Sequence, residues 1–183
     1  MSQFDDAVEY VLDREKGLEE NNVSDSGGIT NFGISLRFLR ELSPESLRRY
    51  GIFEPVSDIT IRELTRDQAK FIYRGEFWDT APFGDIKDQR MCNYIFDMAV
   101  NMGICQAIKI VQYSLWAIYC TRKFIKDDGI LGQDTLYQIN LVTVDRLLPV
   151  LVANRASFYR LLVEIHPKDR SNLDGWLART YRI

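Results

Sequence analysis

The chain contains 183 residues, 46% of them hydrophobic and 27% charged, which is typical of a globular protein with one domain or two small ones. No apolar stretch reaches the roughly 20 residues of a transmembrane helix, so we expect no integral membrane segment. The net charge of −3 divides into −7 over residues 1–100, 0 over 101–145 and +4 over 146–183, without the clustering of Lys and Arg that indicates a nucleic-acid partner.

The first half of the sequence predicts short helices around one β-ribbon. Apolar residues at helical spacing predict an amphipathic helix over residues 4–16, ending at Gly17. Residues 17–34 are rich in turn-forming residues and then alternate in polarity, which is the one convincing β signal in the chain. Further helices are indicated after Ser35 and by cap patterns at Ser43, Thr60 and Thr65.

The second half predicts longer helices. Two apolar helices are expected over residues 88–102 and 104–120, separated at Gly103. A loop, a short helix from Asp134, a helix over 145–165 and a short terminal helix over 172–179 follow. We therefore predict a mainly α fold with a small N-terminal β-ribbon, and two cooperating halves that meet near residue 90.

Glu15 is the most informative residue for function. Val8, Val11 and Leu12 form an apolar stripe, and Glu15 continues it at the i+7 position, where it should face the core. Burial there disfavours the charged carboxylate, and a protonated glutamate is what a general acid requires. The alternative is a glutamate at a helix end that points to solvent or pairs with an arginine.

The ribbon that follows carries a second group of candidates. Asp25 precedes the paired glycines Gly27 and Gly28, which allow a backbone to approach a ligand closely, and Thr30 lies in the extended segment. An ordinary hairpin turn with Asp25 as an Asx cap is the alternative.

Together with their neighbours, these residues resemble the signature of a known family. Glu15-Lys-Gly17 followed by Asp25-Ser-Gly-Gly-Ile-Thr-Asn-Phe-Gly-Ile34 is similar to the signature of glycoside hydrolase family 108, the N-acetylmuramidases. Its members include phage endolysins and secretion activators, among them a muramidase that works with typhoid toxin export. Four later segments resemble the peptidoglycan-binding-type half that accompanies this family: Asp97–Gly103, Asp128–Thr135, Arg155–Tyr159 and Gly175–Arg179.

The resemblance implies a lysozyme-like helical fold, with a muramidase catalytic half over residues 1–90 and a helical peptidoglycan-binding-type half over 91–183. It also implies hydrolysis of the β-1,4 bond between N-acetylmuramic acid and N-acetylglucosamine, with Glu15 as general acid. Asp25 would stabilise positive charge or activate water, and Thr30 would position that water. Two departures, Lys16 in place of a glycine and a spacer without its usual proline, leave these groups intact.

Substrate contacts are expected from the ribbon and from side chains of the second half: Gly27, Gly28, Asn31, Phe32, Asn101, Tyr159 and Trp176. Aromatic residues at helical spacing are more often core than sugar platforms, and Asn101 has an equally good reading as a helix C-cap before Gly103. Glu19 belongs to an acidic run, which predicts a solvated side chain. The alternative is that Glu19 serves as a substitute catalytic carboxylate.

No metal or cofactor is expected, because the chain has a single histidine, His166, and three cysteines without metal-ligand spacing. The competing reading of function is a non-catalytic peptidoglycan-binding protein, or a structural component of a phage or secretion apparatus. The acidic N-terminus lacks the features of a signal peptide, so we expect synthesis in the cytoplasm. Action in the periplasm or cell wall would then require Sec-independent translocation, with a holin or another export partner.

Overall fold

The computed structural model describes residues 3–15, 17–19, 28–53, 55–121 and 125–183. Helices dominate these residues, together with one small antiparallel ribbon, which confirms the predicted mainly α fold class. The helices of the first half are α1 (Phe4–Leu12), α2 (Leu36–Glu41), α3 (Pro44–Arg49), α4 (Asp58–Arg62) and α5 (Arg66–Glu76). Those of the second half are α6 (Gln89–Met102), α7 (Ile104–Tyr119), α8 (Gln133–Leu141), α9 (Val144–Ile165) and α10 (Leu173–Tyr181). Short 3₁₀ turns occupy Trp78–Thr80, Phe83–Asp85 and Pro167–Asn172.

Helix α1 ends earlier than the sequence pattern predicts, at Leu12 rather than near residue 16. A 3₁₀-like turn follows Leu12, because the backbone N–H of Arg14 donates to the carbonyl of Val11 at 2.9 Å. The N–H of Glu15 donates to the same carbonyl at 3.1 Å, in the spacing of an α-helix. One more turn is therefore retained, and Glu15 stays on the face that α1 turns toward the core.

The predicted ribbon consists of β1 (Thr30–Asn31) and β2 (Ile34–Ser35), paired antiparallel with Thr30 opposite Ser35. Phe32 and Gly33 form the two-residue turn, with φ values of 51° and 76°. Two positive φ values define the type I′ turn, whose twist matches that of the strands. An isolated bridge between Glu19 and Thr30 extends the ribbon on its other side.

Most helix starts follow the predicted caps, with one correction. The side chains of Ser35, Ser43 and Thr65 accept hydrogen bonds from backbone N–H groups in the first turns of α2, α3 and α5. Thr60 is not a cap but the third residue of α4, where its hydroxyl accepts from the backbone N–H of Ser57 at 3.0 Å. Ser57 is the N-cap residue, so α4 begins three residues before the predicted position.

The core is shared by both halves of the chain. Helix α1 packs along α6, while α6, α7 and α9 pack on one another and α10 lies on α9. A single cluster of buried apolar residues extends from Ala7 in α1 to Val152 in α9. Among the residues described, no single helix is long and apolar enough to span a membrane; α8 and α9, bent by 118° at their junction, meet the length and composition test only as a pair.

Candidate active site

A cleft of about 430 Å³ opens where α1, the ribbon, the end of α6 and α10 meet. Its walls include Glu15, Thr30, Gly33, Asn101, Trp176 and Arg179. The two ends of the chain thus meet at one cleft, since Glu15 and Arg179, which are 164 positions apart in sequence, both line it and are hydrogen-bonded to each other.

Glu15 lies at the inner side of this cleft and is only 15% exposed. Its Oε1 accepts a hydrogen bond of 2.6 Å from Nη1 of Arg179. Both sequence-based readings of this residue therefore contain part of the answer, because the carboxylate faces inward and also pairs with an arginine.

Gly33 brings the backbone of the ribbon turn directly against this carboxylate. A Cβ at this position would lie 2.4 Å from the carboxyl carbon of Glu15 and 2.6 Å from the hydroxyl oxygen of Tyr73. Such distances are far below van der Waals contact, and the φ of 76° also favours glycine. The turn, the carboxylate and the tyrosine therefore fit together only without a side chain at this point.

Tyr73 closes the site from α5. Its hydroxyl donates to the carbonyl oxygen of Phe32 at 2.7 Å, which fixes the ribbon turn. Burial raises the pKa of Tyr73 well above its usual value, and the negative charge of Glu15 raises it further. Tyr73 therefore remains a neutral hydrogen-bond donor beside the carboxylate over the physiological pH range.

Arg179 connects Glu15 to a buried carboxylate on α6. Its Nε and Nη2 donate to Oδ1 of Asp97 at 3.0 and 2.7 Å, while Oδ2 of Asp97 accepts from Nη1 of Arg155 at 2.8 Å. Burial disfavours the charge of Arg179, but the carboxylates of Asp97 and Glu15 outweigh this cost and raise the pKa of the guanidinium. The arginine is consequently a permanent cation at the base of the cleft.

Thr30 and Glu19 face each other on the ribbon side. Their backbones exchange two hydrogen bonds of 2.8 and 3.0 Å, so both residues are held at the cleft wall. The Thr30 hydroxyl makes a long contact of 3.4 Å with the carbonyl oxygen of Gly28. A hydroxyl held so weakly is suited to binding a water molecule or a sugar hydroxyl.

An aromatic ring supported by a second ring also lines the cleft. Trp176 on α10 stacks on Tyr159 of α9, with ring centroids 5.0 Å apart and planes inclined by 24°. The Tyr159 hydroxyl donates in turn to Oδ1 of Asn101, at the end of α6. Trp176 thus presents a ring held in a fixed orientation at the cleft.

Several predicted substrate contacts have other positions. Tyr159 is only 2% exposed, so it supports Trp176 from beneath and does not itself offer a face to a ligand. Asn31 is buried too, because its Nδ2 donates to the carbonyl oxygen of Ile61 at 3.0 Å and ties β1 to α4. Phe32 is partly buried against the core. Gly28 adopts a φ of 78°, while Asp25 and Gly27 lie outside the described residues.

Sequence reasoning missed the roles of Arg179, Asp97, Gly33 and Tyr73. Arg179 and Asp97 belong to segments that carried the family resemblance, but nothing local indicates that either one serves Glu15. The available signal was Asp97 itself, an acidic residue between the apolar runs Tyr94–Phe96 and Met98–Val100, since buried charges are almost always paired. No group of three or more His, Cys, Asp or Glu side chains within the described ranges could hold a metal ion.

A largely buried glutamate at an open cleft, in a small helical fold with a β-ribbon, is typical of lysozyme-like glycoside hydrolases. The chain belongs to glycosyl hydrolase family 108, whose sequence model matches residues 8–103. The structure of Brucella abortus SagA is similar to it with a TM-score of 0.74 and 25% sequence identity, over 98% of this chain and 90% of that one. A comparison with curated proteins found no significant match. Family and fold together support a peptidoglycan-hydrolase-like function.

Proposed function

We propose that this chain is an N-acetylmuramidase that cleaves the β-1,4 bond between N-acetylmuramic acid and N-acetylglucosamine in bacterial peptidoglycan. The observation that carries the proposal is Glu15, a carboxylate turned inward at the wall of an open cleft, in a member of a glycosyl hydrolase family. A carboxyl group held at a cleft wall in this way is suited to transfer a proton to a bound glycan.

In the proposed reaction, Glu15 donates its proton to the glycosidic oxygen as the bond from that oxygen to the anomeric carbon breaks. Positive charge develops at the anomeric carbon, as in other glycosidases. By resemblance to the family, Asp25 stabilises this charge or takes a proton from the attacking water. The Thr30 hydroxyl, at the ribbon wall, orients that water.

The shape of the site supports a polymeric sugar substrate. The cleft is open to solvent and combines polar groups with the Trp176 ring, and sugar rings pack their apolar C–H faces on such a surface. Asn101 lies beside this ring and offers amide hydrogen bonds to sugar or peptide groups.

The test of this proposal is Glu15→Gln, assayed by release of reducing ends from purified peptidoglycan. We expect a loss of about 10²–10⁴-fold, the usual contribution of a general acid, with an unchanged circular dichroism spectrum. Glu164→Gln makes the same chemical change on the exposed surface of α9 and should retain full activity. Mass spectrometry of the products should find N-acetylmuramic acid at the new reducing ends.

Two results would contradict the proposal. Substantial activity in Glu15→Gln would remove this residue as the acid. Uncut sacculi after prolonged incubation with the unmodified protein would favour the competing reading, a peptidoglycan-binding or structural protein.

We further propose that the activity supports host lysis or Sec-independent export of another protein. Peptidoglycan lies outside the cytoplasmic membrane, so the enzyme would act in the periplasm or cell wall and would depend on a holin or export partner. Expression in the cytoplasm should lyse cells only when a holin is present, and fusion to a signal peptide should remove that need. Glu15→Gln should abolish lysis in both settings.

A further inference from the structure

A chain of four charged side chains runs from the core of the second half to the proposed general acid. Arg155 and Asp97 are 0% and 1% exposed, Arg179 is 10% exposed, and Glu15 is 15% exposed at the cleft. Each neighbouring pair is joined by at least one hydrogen bond of 3.0 Å or less. Charge-assisted hydrogen bonds of this length are the strong ones in proteins.

The geometry of Arg179 fixes where its remaining donor points. A guanidinium is a planar, rigid fork, and Asp97 holds two of the three nitrogens of this fork through one carboxylate oxygen. Asp97 itself is held by Arg155 from the opposite side. Nη1 of Arg179 is consequently directed at Oε1 of Glu15 and has little freedom to turn away.

Electrostatic balance links the same four groups. Asp97 lies between two arginines, so these three groups together carry one excess positive charge in a largely buried environment. Glu15 is the carboxylate that balances it. Because a buried charge is costly unless it is paired, the carboxylate has a strong reason to stay in this position.

We infer that Arg179 is the positioning residue of the general acid, and that Asp97 and Arg155 hold Arg179 in place from the buried side. The inference rests on the proposed function and assigns to α10 a part in catalysis. Arg179 donates to Oε1 of Glu15, which leaves Oε2 as the oxygen that carries the proton in the neutral acid. Arg179 thereby fixes the orientation of the Glu15 carboxyl group at the cleft.

This assignment changes the expected role of several residues in the second half. Asp97 and Arg155 belong to segments that resemble a peptidoglycan-binding-type half, yet they are too deeply buried to touch a glycan. Their contacts lead to Glu15 instead. Loss of Arg179 should therefore impair turnover, whereas loss of a glycan-binding residue should impair substrate affinity.

The test compares Arg179→Met, Arg179→Lys and the unmodified protein on soluble, uncrosslinked glycan strands. We expect kcat to fall at least about tenfold in both variants while KM changes less than about twofold, because the substrate does not depend on Arg179 for binding. Arg179→Lys keeps the positive charge beside Asp97, so it should fold even if Arg179→Met does not, but it lacks the fork that aligns Glu15. Arg170→Met, on the exposed surface, is the matched control and should retain both parameters.

Chemical rescue adds a measurement that a purely structural role would not affect. Added guanidinium or methylguanidinium ion should restore several-fold activity to Arg179→Gly and leave Arg170→Gly unchanged.

If Arg179→Lys and Arg179→Met keep the unmodified kcat while Glu15→Gln is inactive, the positioning role is wrong and the proposed function stands. If these variants raise KM at constant kcat, Arg179 binds substrate instead. An inactive unmodified protein would remove both proposals together.

Discussion

Gly33 is the residue whose identity the site constrains most tightly. Its missing side chain allows the ribbon turn to touch Glu15 and Tyr73, and its φ of 76° disfavours residues that carry a Cβ. Gly33→Ala should therefore displace the Glu15 carboxylate and destabilise the fold by about 2 kcal/mol, from the left-handed backbone and the clash together. Denaturant unfolding and the reducing-end assay measure the two effects.

Gly17→Ala provides the matched control for this prediction. A Cβ at Gly17 meets nothing within 4 Å, and its φ is not in the left-handed region. We expect this variant to keep the stability and activity of the unmodified protein. Unmodified activity in Gly33→Ala would show that the turn can move away from Glu15 without consequence for the chemistry.

The sequence allows prediction of single residues only where local spacing carries the information. Glu15 faces inward as the stripe of Val8 and Val11 predicts, because three or four residues of helix separation decide which side a side chain takes. Its partner Arg179 is 164 positions away, and no local pattern encodes a contact of that kind. The burial of Tyr159 is likewise a matter of tertiary packing, since an aromatic residue on α9 fits the core and the cleft equally well in the sequence.

At the scale of elements, Glu9 links α1 to α5. Its carboxylate pairs with Lys70 at 2.5 Å and with Arg66, and hydrogen bonds from these two side chains lower the pKa of Glu9. A carboxyl whose pKa is lowered by folding stabilises the protein above its usual pKa, and this stabilisation is lost as the pH falls through the lowered value. Since Glu9 is 43% exposed, solvent and salt screen the pairs, and the contribution should be below about 1 kcal/mol.

Glu9→Gln should therefore be less stable than the unmodified protein at pH 7 and should approach it near pH 3. Urea unfolding at pH 7, 5 and 3 measures this convergence, and added salt should reduce the difference at pH 7. The exposed residue Glu63 offers the control Glu63→Gln. A difference for Glu9→Gln that stays constant from pH 7 to pH 3 would show that the ion pairs contribute nothing.

Gly175 lines the cleft, and its missing side chain leaves space there beside α10. A Cβ at this position would meet nothing within 4 Å, although the residue lies inside a helix where glycine costs about 1 kcal/mol relative to alanine. Gly175→Ala should therefore raise the melting temperature and retain activity. Gly175→Leu should be at least as stable as the unmodified protein but should raise KM, because its side chain extends into the cleft. An unchanged KM in Gly175→Leu would place the substrate elsewhere.

Element boundaries could be predicted less well than the elements themselves. The ribbon and the starts of α2, α3 and α5 follow from glycine and cap patterns, which act over three or four residues. Helix α1 ends before its predicted limit because a 3₁₀-like turn follows Leu12. Helix α4 is capped by Ser57 rather than by Thr60. In both places the sequence pattern allows more than one position for the helix end, so it does not fix the exact boundary.

For the whole molecule, the buried core continues across residue 90, where the sequence predicts the boundary between the two halves. Helix α1 packs on α6, the buried apolar cluster continues into α9, and the cleft has one wall from each end of the chain. The mildly basic C-terminal part therefore lies beside the acidic N-terminal part at the site itself. Long-range packing of this kind is what a segment-by-segment reading of the sequence misses.

The shared core predicts that the chain unfolds in a single cooperative step. Hydrogen exchange in increasing denaturant should give α1 and α9 the same highest free energy of opening, because separating the halves would expose the apolar faces of α1 and α6 to water. Residues 1–90 expressed alone should accordingly lack a cooperative thermal transition. Two separate opening free energies, or a folded fragment 1–90, would show that the N-terminal half is an independent domain and that its contact with α10 forms only after folding.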